Sequence, residues 1–452
     1  MLTAGGAFQC RKLEEIDPVL RIDSQTPIAT LLLVYEEPYG ATERTGIEYS
    51  LMLGGGYIGV AALSLQYDAD SFVVRNDKCI RVHDRVSLMK LAASCTIGAL
   101  DATICKAGAG LREWNMETPK KNSYPLAELH FHLGQSVEPH ILWAIAHEQG
   151  IKLPSKSYEE FYDFITLNKE STTWEDYHSL FHWTELIQSS PIAMERAVYE
   201  VVSGAYRASG ISLLEPSFNP MFRNRQGERD LDYIILGALR GMERALAEFP
   251  QVRAGLIFLL DRRLPKATNE IMVKKAIKYS RRGVVGIDIA GPKGDGFSYD
   301  DYADLYAMAR EAGLKTTVHT GEDGTAEEMR HVLEVLPLDR INHGFRAYED
   351  PALMDLVAQK DLTLCMCPTS NMSVKFIRDT EHLKEVVQTL WKAQVKFCFN
   401  TDNPSMLRTT LPKELAMIRD NGILDEEQIK QTVQWAFDAA FVDQKRASNL
   451  YL

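Results

Sequence analysis

Ala127-Glu128-Leu129-His130-Phe131-His132-Leu133 is a short apolar run carrying two histidines one residue apart. Side chains alternate faces along a β-strand, so His130 and His132 project the same way and can hold one metal ion between them. His-x-His spacing is common by itself, and partners elsewhere in the chain decide its meaning. From Leu126 onward the chain alternates strand and helix patterns, with strand candidates at 127–133, 210–219, 253–260, 284–290, 315–321, 340–346, 362–367 and 395–401. Eight βα units predict an α/β fold, a TIM-type (β/α)8 barrel, in which reactive groups sit at the C-terminal ends of the strands.

The helical patterns between these runs have recognisable ends. Thr325 with Glu328 reads as a capping box, Asp350-Pro351 as an N-cap with proline in the first turn, and Gly313 stops the helix that follows Ser298. Nearly eighty residues separate the first two strands. This insertion holds several helices, including one around Pro139–Gly150 and another around Pro191–Ala208, and is expected to lie over the mouth of the barrel as a lid. His140, His147, His178 and His182 fall within it and not at a strand end, so they read as ordinary helix residues.

Residues 1–120 have a different pattern and read as a small N-terminal α+β domain, leaving residues 121–452 for the barrel. Apolar runs at Ile28–Tyr35, Gly46–Leu53, Tyr57–Tyr67 and Ser71–Arg75 are broken by Pro38-Tyr39-Gly40, Gly54-Gly55-Gly56 and Asn76-Asp77, the pattern of an antiparallel meander. Leu88, Leu91, Ala92, Cys95, Ala99 and Ala102 are spaced as one face of a helix over Val86–Cys105. Gly54-Gly55-Gly56 lacks the lysine and the strand-to-helix context of a phosphate loop and reads as a hairpin turn. A polar linker, Arg112 to Pro125, follows. An appendage placed just before the first metal-bearing strand suits contact between copies of the chain, and a homo-oligomer is expected.

Composition narrows the partners. The chain has 452 residues, 45% hydrophobic and 25% charged, with a formal net charge of -12, so it has no basic surface for duplex nucleic acid. No stretch of 18 apolar residues predicts a membrane span, and Met1–Cys10 lacks a secretory pattern. Seven scattered cysteines without Cys-x-x-Cys spacing suit reduced thiols, and the expected compartment is the cytoplasm.

The strand ends supply the chemistry. His130 and His132 close the first strand, His319 closes the fifth with Glu322 three residues on, His343 closes the sixth and Asp402 the eighth. Three histidines and an aspartate make a ligand set for a borderline metal such as zinc, with a position left open for water. Glu322 and His343 would stand beside it as acid/base groups.

Taken together, Ala127–Leu133, Val318-His-Thr-Gly-Glu322, Asn342-His-Gly344, Cys367-Pro-Thr-Ser-Asn371, Asp379-Thr-Glu-His382 and Asn400-Thr-Asp-Asn-Pro404 resemble the adenosine deaminase family of the amidohydrolase superfamily. The resemblance covers residues from about 125 to 420, with the motifs in family order. It implies a mononuclear zinc held by His130, His132, His319 and Asp402. It further implies Glu322 as proton shuttle to the purine N1, His343 as the group orienting the attacking hydroxide, and a backbone contact from Gly291 to the purine ring. The implied substrate is an adenine-type nucleoside or nucleoside 5'-monophosphate, deaminated to the inosine form.

Several departures from the family pattern bear on specificity. Where the family usually carries an acid or amide and then glycine after His-x-His-Leu, this chain has Gly134-Gln135. Losing a carboxylate there removes repulsion towards an anion and makes a 5'-monophosphate a serious candidate; a shifted Gln135 serving the sugar of a nucleoside fits as well. Asn403 stands where a second aspartate near the purine N7 is common; its amide can donate to N7 at any pH. It equally fits another aminated heterocycle, a different purine or a pterin-like ring. Lys293, two residues after Gly291, reads as a solvated loop residue that would also suit an anion. Cys365-Met-Cys367-Pro368 has the wrong spacing for the cysteine-ligated deaminases and reads as packing of the seventh strand. A catalytically weak barrel serving as an assembly subunit is the remaining alternative.

Overall fold

The computed structural model describes residues 31–35, 70–75, 78–82, 124–167 and 174–443. It divides into two compact units, Met1–Asn115 and Met116–Leu452. In the first, β1 (Leu31–Tyr35), β2 (Asp70–Arg75) and β3 (Lys78–Val82) form an antiparallel sheet in that order. Arg75 pairs with Lys78 across the Asn76-Asp77 break, so the residues after it return as β3, a strand that the pattern reading did not anticipate. The expected strands at Gly46–Leu53 and Tyr57–Tyr67 and the expected helix at Val86–Cys105 lie outside the described residues.

The second unit alternates strand and helix. A parallel sheet runs β4 (Leu126–His132), β5 (Ile211–Phe218), β7 (Leu256–Asp261), β8 (Val284–Ala290) and β9 (Lys315–Thr316), with the short β6 (Arg253–Ala254) also pairing with β5. A second parallel sheet runs β10 (His319–Thr320), β11 (Ile341–His343), β12 (Thr363–Met366) and β13 (Lys396–Phe399). The expected run 315–321 is therefore split between them. Thr317 N donates to Ile287 O of β8 at 3.0 Å, whereas Val318 O accepts from Asn342 N of β11 at 2.9 Å, so the chain changes partner within two residues. At the other seam Phe131 and Asp402 form an isolated parallel bridge, His132 N donating to Asp402 O at 2.7 Å. Strands buried on both faces need near-continuous apolar runs, and Leu256–Asp261 and Val284–Ala290 are built largely of Ile, Leu and Val.

The insertion between β4 and β5 contains helices Pro139–Glu148, Tyr158–Ile165, Trp174–Ile187 and Pro191–Ser209. The last is capped by Ser190, begins on proline and ends on left-handed Gly210, so its boundaries follow local chemistry. It packs closely on helix Leu231–Glu248, where a Cβ at Gly241 would stand 2.2 Å from Glu195 O; only glycine allows that approach. Asp350 caps helix Pro351–Gln359 as expected. At Thr325 only half of the expected capping box forms. Its hydroxyl accepts from Glu328 N, but the Glu328 carboxylate pairs with Lys293 instead of turning back to the cap. Among the described residues no helix is long and apolar enough to cross a membrane.

Candidate metal centre and active site

β4 leaves its ladder with β5 between Glu128 and Phe131, and the freed N–H groups of Leu129 and His130 donate to the Asn400 side chain at 2.8 and 3.1 Å. A break of this kind re-aims side chains, and here it lets His130 and His132 meet Asp402. Glu128, one turn of the pleat below, accepts from Thr401 N at 3.1 Å and from its hydroxyl, anchoring the residue before Asp402. Burial pushes the Glu128 carboxyl up to about 7.

The imidazoles converge by their Nε2 atoms. His130 Nε2 lies 3.1 Å from His319 Nε2, which lies 3.3 Å from His132 Nε2. Asp402 Oδ1 stands 3.1 Å from His132 Nε2 and 3.7 Å from His130 Nε2. The opposite ring nitrogens all face oxygen: His130 Nδ1 meets Cys365 O at 3.2 Å, His132 Nδ1 meets Ser217 Oγ at 3.3 Å, and His319 Nδ1 lies 2.9 Å from Asp288 Oδ2. A proton placed on each Nδ1 by its oxygen leaves three bare Nε2 lone pairs pointing at one another beside a carboxylate. Such an arrangement repels itself unless a cation occupies the centre. The donor set therefore fits a borderline divalent metal, and the Nδ1 partners are the kind that hold metal-ligating histidines in orientation.

The electrostatics agree. Burial, reinforced by neighbouring imidazoles, holds His130 and His319 well below the usual histidine range, so both are neutral donors. Burial works against charge on both Asp402 and His132, but their mutual hydrogen bond holds the Asp402 carboxyl well below its usual range and raises His132, so the carboxylate draws a proton to His132 Nε2, where a metal ion would supply the positive charge instead. Asp402 Oδ2 is occupied by Ser370 Oγ at 2.5 Å and Tyr177 Oη at 3.1 Å.

His343 stands beside this cluster. One donor atom from each of His130, His319, His343 and Asp402 lies within 4.8 Å of the others, so distance alone admits His343 to the ligand set. Both its nitrogens are engaged, however: Nδ1 with Asn371 Oδ1 at 2.9 Å and Nε2 with Glu322 Oε2 at 3.0 Å. Burial, with Asp323 and Asp402 nearby, pushes the Glu322 carboxyl well above the carboxylate range, so it keeps a proton that its neighbour His343 can accept. His343 (φ 65°) and Asp402 (φ 63°) both adopt left-handed backbone conformations that non-glycine residues rarely take. Strained backbone of this sort is concentrated at functional sites.

Among the residues expected to touch substrate, Gly291 (φ 86°) follows β8, and a Cβ there would stand 2.7 Å from Asp261 Oδ2. Its carbonyl accepts from Arg262 Nη1 at 3.0 Å, and Arg262 Nη2 also donates to His319 O, so one buried arginine ties the two strand ends together. The Asn403 amide donates to Tyr177 Oη, and Gln135 Nε2 donates to Thr184 Oγ1 at 2.6 Å. Both groups are thus met by the helix Trp174–Ile187. Lys293 is spent on Glu328. Cys365 packs against Cys398 in the core, but Cys367 Sγ also reaches within 3.5 Å of His130 Nδ1.

Sequence reasoning missed Glu128, Tyr177, Asp288, Ser370 and Asn371. Asp288 carried a signal, an acid inside the apolar run Val284–Ala290 that a buried strand tolerates only with a partner. Tyr177 carried none, since it reaches Asp402 from a helix 225 positions away in sequence.

The family model described as adenosine deaminase matches residues 125–451. The chain belongs to the adenosine deaminase family. A curated adenosine deaminase from Clostridium perfringens is 27% identical over 328 residues, covering 73% of this chain and 97% of that protein. Two solved structures share the fold. An amidohydrolase from Burkholderia ambifaria with bound Zn has a TM-score of 0.62 at 21% identity, covering 72% of this chain and 87% of its own. The Arabidopsis N6-mAMP deaminase has a TM-score of 0.61 at 23% identity, covering 72% and 96%.

Proposed function

We propose that this member of the adenosine deaminase family is a zinc-dependent hydrolase that deaminates an adenine-type nucleoside or nucleoside 5'-monophosphate, releasing ammonia and the inosine form. The observation that carries the reading is the meeting of three Nε2 atoms with Asp402, beside the paired Glu322 and His343. His130, His132, His319 and Asp402 would hold the ion; His343, with both nitrogens already engaged, would serve the reaction instead. When bound, zinc supplies hydroxide at neutral pH by lowering the pKa of water from 15.7 to about 7.

The protein's own groups do the rest. Attack at the carbon bearing the amino group breaks ring aromaticity, so the adjacent ring nitrogen has to gain a proton as the new C–O bond forms. Glu322, kept protonated by burial, is the acid for that transfer. His343, its Nδ1 fixed by Asn371, would turn its bare Nε2 from Glu322 to the O–H of the attacking hydroxide and so orient it. The proton of the new hydroxyl, passed to the amino nitrogen by the Glu322 carboxylate, then lets the amine leave as ammonia as the C–N bond breaks and the oxygen becomes the product carbonyl. Gly291 would offer its backbone to the purine ring, and Asn403 and Gln135 would act on substrate through or beside the helix Trp174–Ile187. The N6-mAMP activity in the name of the Arabidopsis protein supports keeping monophosphates among the substrates.

In the same reading the two parallel sheets are arcs of one (β/α)8 barrel, the helical insertion is its lid, and residues 1–120 form a separate domain through which copies associate. The cytoplasm is the proposed compartment. The deciding experiment is ammonia release by zinc-loaded protein from adenosine, deoxyadenosine, AMP and dAMP. Release from none of the four would overturn the reading. His130→Ala should lose both bound metal and activity, and full metal content in that variant would overturn the ligand assignment.

A further inference from the structure

Two residues beyond His132, the backbone of Gly134 lies against a buried guanidinium. A Cβ at this position would stand 2.9 Å from Arg223 Nη2 and 3.2 Å from Thr184 Oγ1, so the absence of a side chain is what admits Arg223. Arg223 comes from the short turn Met221–Arg223 that follows β5, and it is only 2% exposed. Its Nη1 donates to Asn219 O at 2.9 Å, but its Nε is buried without a partner. The carboxylate beside it, Glu185 Oε1, stands 3.8 Å from Nη1, beyond hydrogen-bonding distance. Burial pushes the Glu185 carboxyl up to about 7, so its charge near neutrality is only partial. A buried cation so poorly compensated is costly for the free protein.

The neighbouring donors are already engaged, Thr184 Oγ1 donating to Phe181 O at 3.0 Å, so the guanidinium is the group left to meet an anion. Thr184 and Gln188 flank the same spot on the helix side: Gln188 Nε2 donates to Gly134 O at 3.1 Å, while its Oε1 is buried without a partner. Arg263, whose guanidinium lies 5.1 Å from the Phe222 ring, brings a second positive charge to the turn, although Asp261 neutralises it at 2.7–2.8 Å. Gly134 lies in the short helix Leu133–Ser136 that begins directly after His132, within about 7 Å of chain, the scale of a ribose between a base reacting at the metal centre and its 5' group.

We propose that Arg223, brought against the bare backbone of Gly134, receives the phosphate of a nucleoside 5'-monophosphate, making the monophosphate the preferred substrate. The assignment rests on the deaminase reading above and narrows it. A planar guanidinium meets a phosphate through paired N–H groups, and the dianion would supply the hydrogen-bonded countercharge that Glu185 does not.

The test compares equilibrium binding of inosine 5'-monophosphate and inosine to the full-length protein by calorimetry, alongside kcat/KM for AMP and adenosine. The expected result is at least about tenfold tighter binding of the monophosphate, with Arg223→Gln lowering the AMP-to-adenosine ratio of kcat/KM by about tenfold to a hundredfold. Gly134→Ala, which crowds the guanidinium without removing it, should lower the same ratio. Equal or weaker binding of the monophosphate by the unsubstituted protein overturns the proposal whether or not the variants fold, and leaves deamination standing if adenosine is turned over. Arg223-dependent monophosphate binding without ammonia release from any substrate supports the phosphate site and overturns the deaminase reading.

Discussion

Replacing Arg340 by methionine is expected to destabilise the protein by about 3–5 kcal/mol, the range for breaking a buried ion pair from one side. Among the described residues Arg340 is the largest fully buried side chain, with 0% exposure. Its guanidinium meets the Glu215 carboxylate, also 0% exposed, and donates to Leu129 O at 2.8 Å and Ala439 O at 3.3 Å. The same group lies 3.8 Å from the Phe441 ring centroid, and Glu215 accepts from Phe441 N at 2.5 Å and Val442 N at 2.8 Å. One side chain thus links β4, β5, the start of β11 and the segment after the last helix.

Methionine fills much of the volume, so the cavity contribution is small. What remains is a carboxylate without its countercharge and two carbonyls without their donor. Against a total stability of about 5–15 kcal/mol, that loss is a large fraction. The double replacement Glu215→Gln with Arg340→Met removes the stranded charge and is expected to recover most of the loss, because neutral replacements of buried pairs are often no less stable. Urea unfolding followed by circular dichroism, compared through midpoints, measures all three proteins. A single variant within about 1 kcal/mol of the parent, or a double variant no more stable than the single, would refute the reasoning.

Asp288→Asn takes the carboxylate from His319 Nδ1 and should weaken metal affinity by about 10–100-fold in a chelator competition; unchanged affinity would remove Asp288 from the centre. Glu322→Gln should retain metal and lower kcat by about 10²–10⁴-fold. Because the acid has to be protonated to act and burial raises its pKa, the parent's activity should fall as pH rises through that raised value. The glutamine variant should lack this limb, and a surviving limb would assign it to another group. Tyr177→Phe deletes the hydroxyl shared by Asp402 and Asn403; metal affinity should fall by about tenfold, and equal retention of metal by variant and parent would show that the tyrosine does not position Asp402.

Much of the centre was legible because its residues punctuate strand ends. His130, His132, His319, His343 and Asp402 each stand at or just beyond the end of a strand pattern, and the parallel order of those strands carries their ends to one face. Local chemistry likewise announced the Asp350-Pro351 cap and the stop at Gly313. These features depend on neighbours a few positions away, which a linear sequence displays directly.

Tertiary packing decided the rest. Whether Glu328 would complete a capping box depended on Lys293, 35 positions earlier, which took its carboxylate. The split of the fifth strand between two sheets followed from where β8 and β11 lie, not from anything in Lys315–Gly321. Arg223 is an unremarked arginine in a turn until folding lays it against Gly134. Tyr177 and Asp288 gain their places only when distant elements pack around the histidines. Apolar periodicity and caps report the environment of a backbone segment, so sequence determined most of the strands, their order and which histidines and carboxylates stand at their ends. Which polar groups face one another across the site is set by the three-dimensional contacts that burial forces, because each buried charge or donor has to find its partner wherever the fold places one.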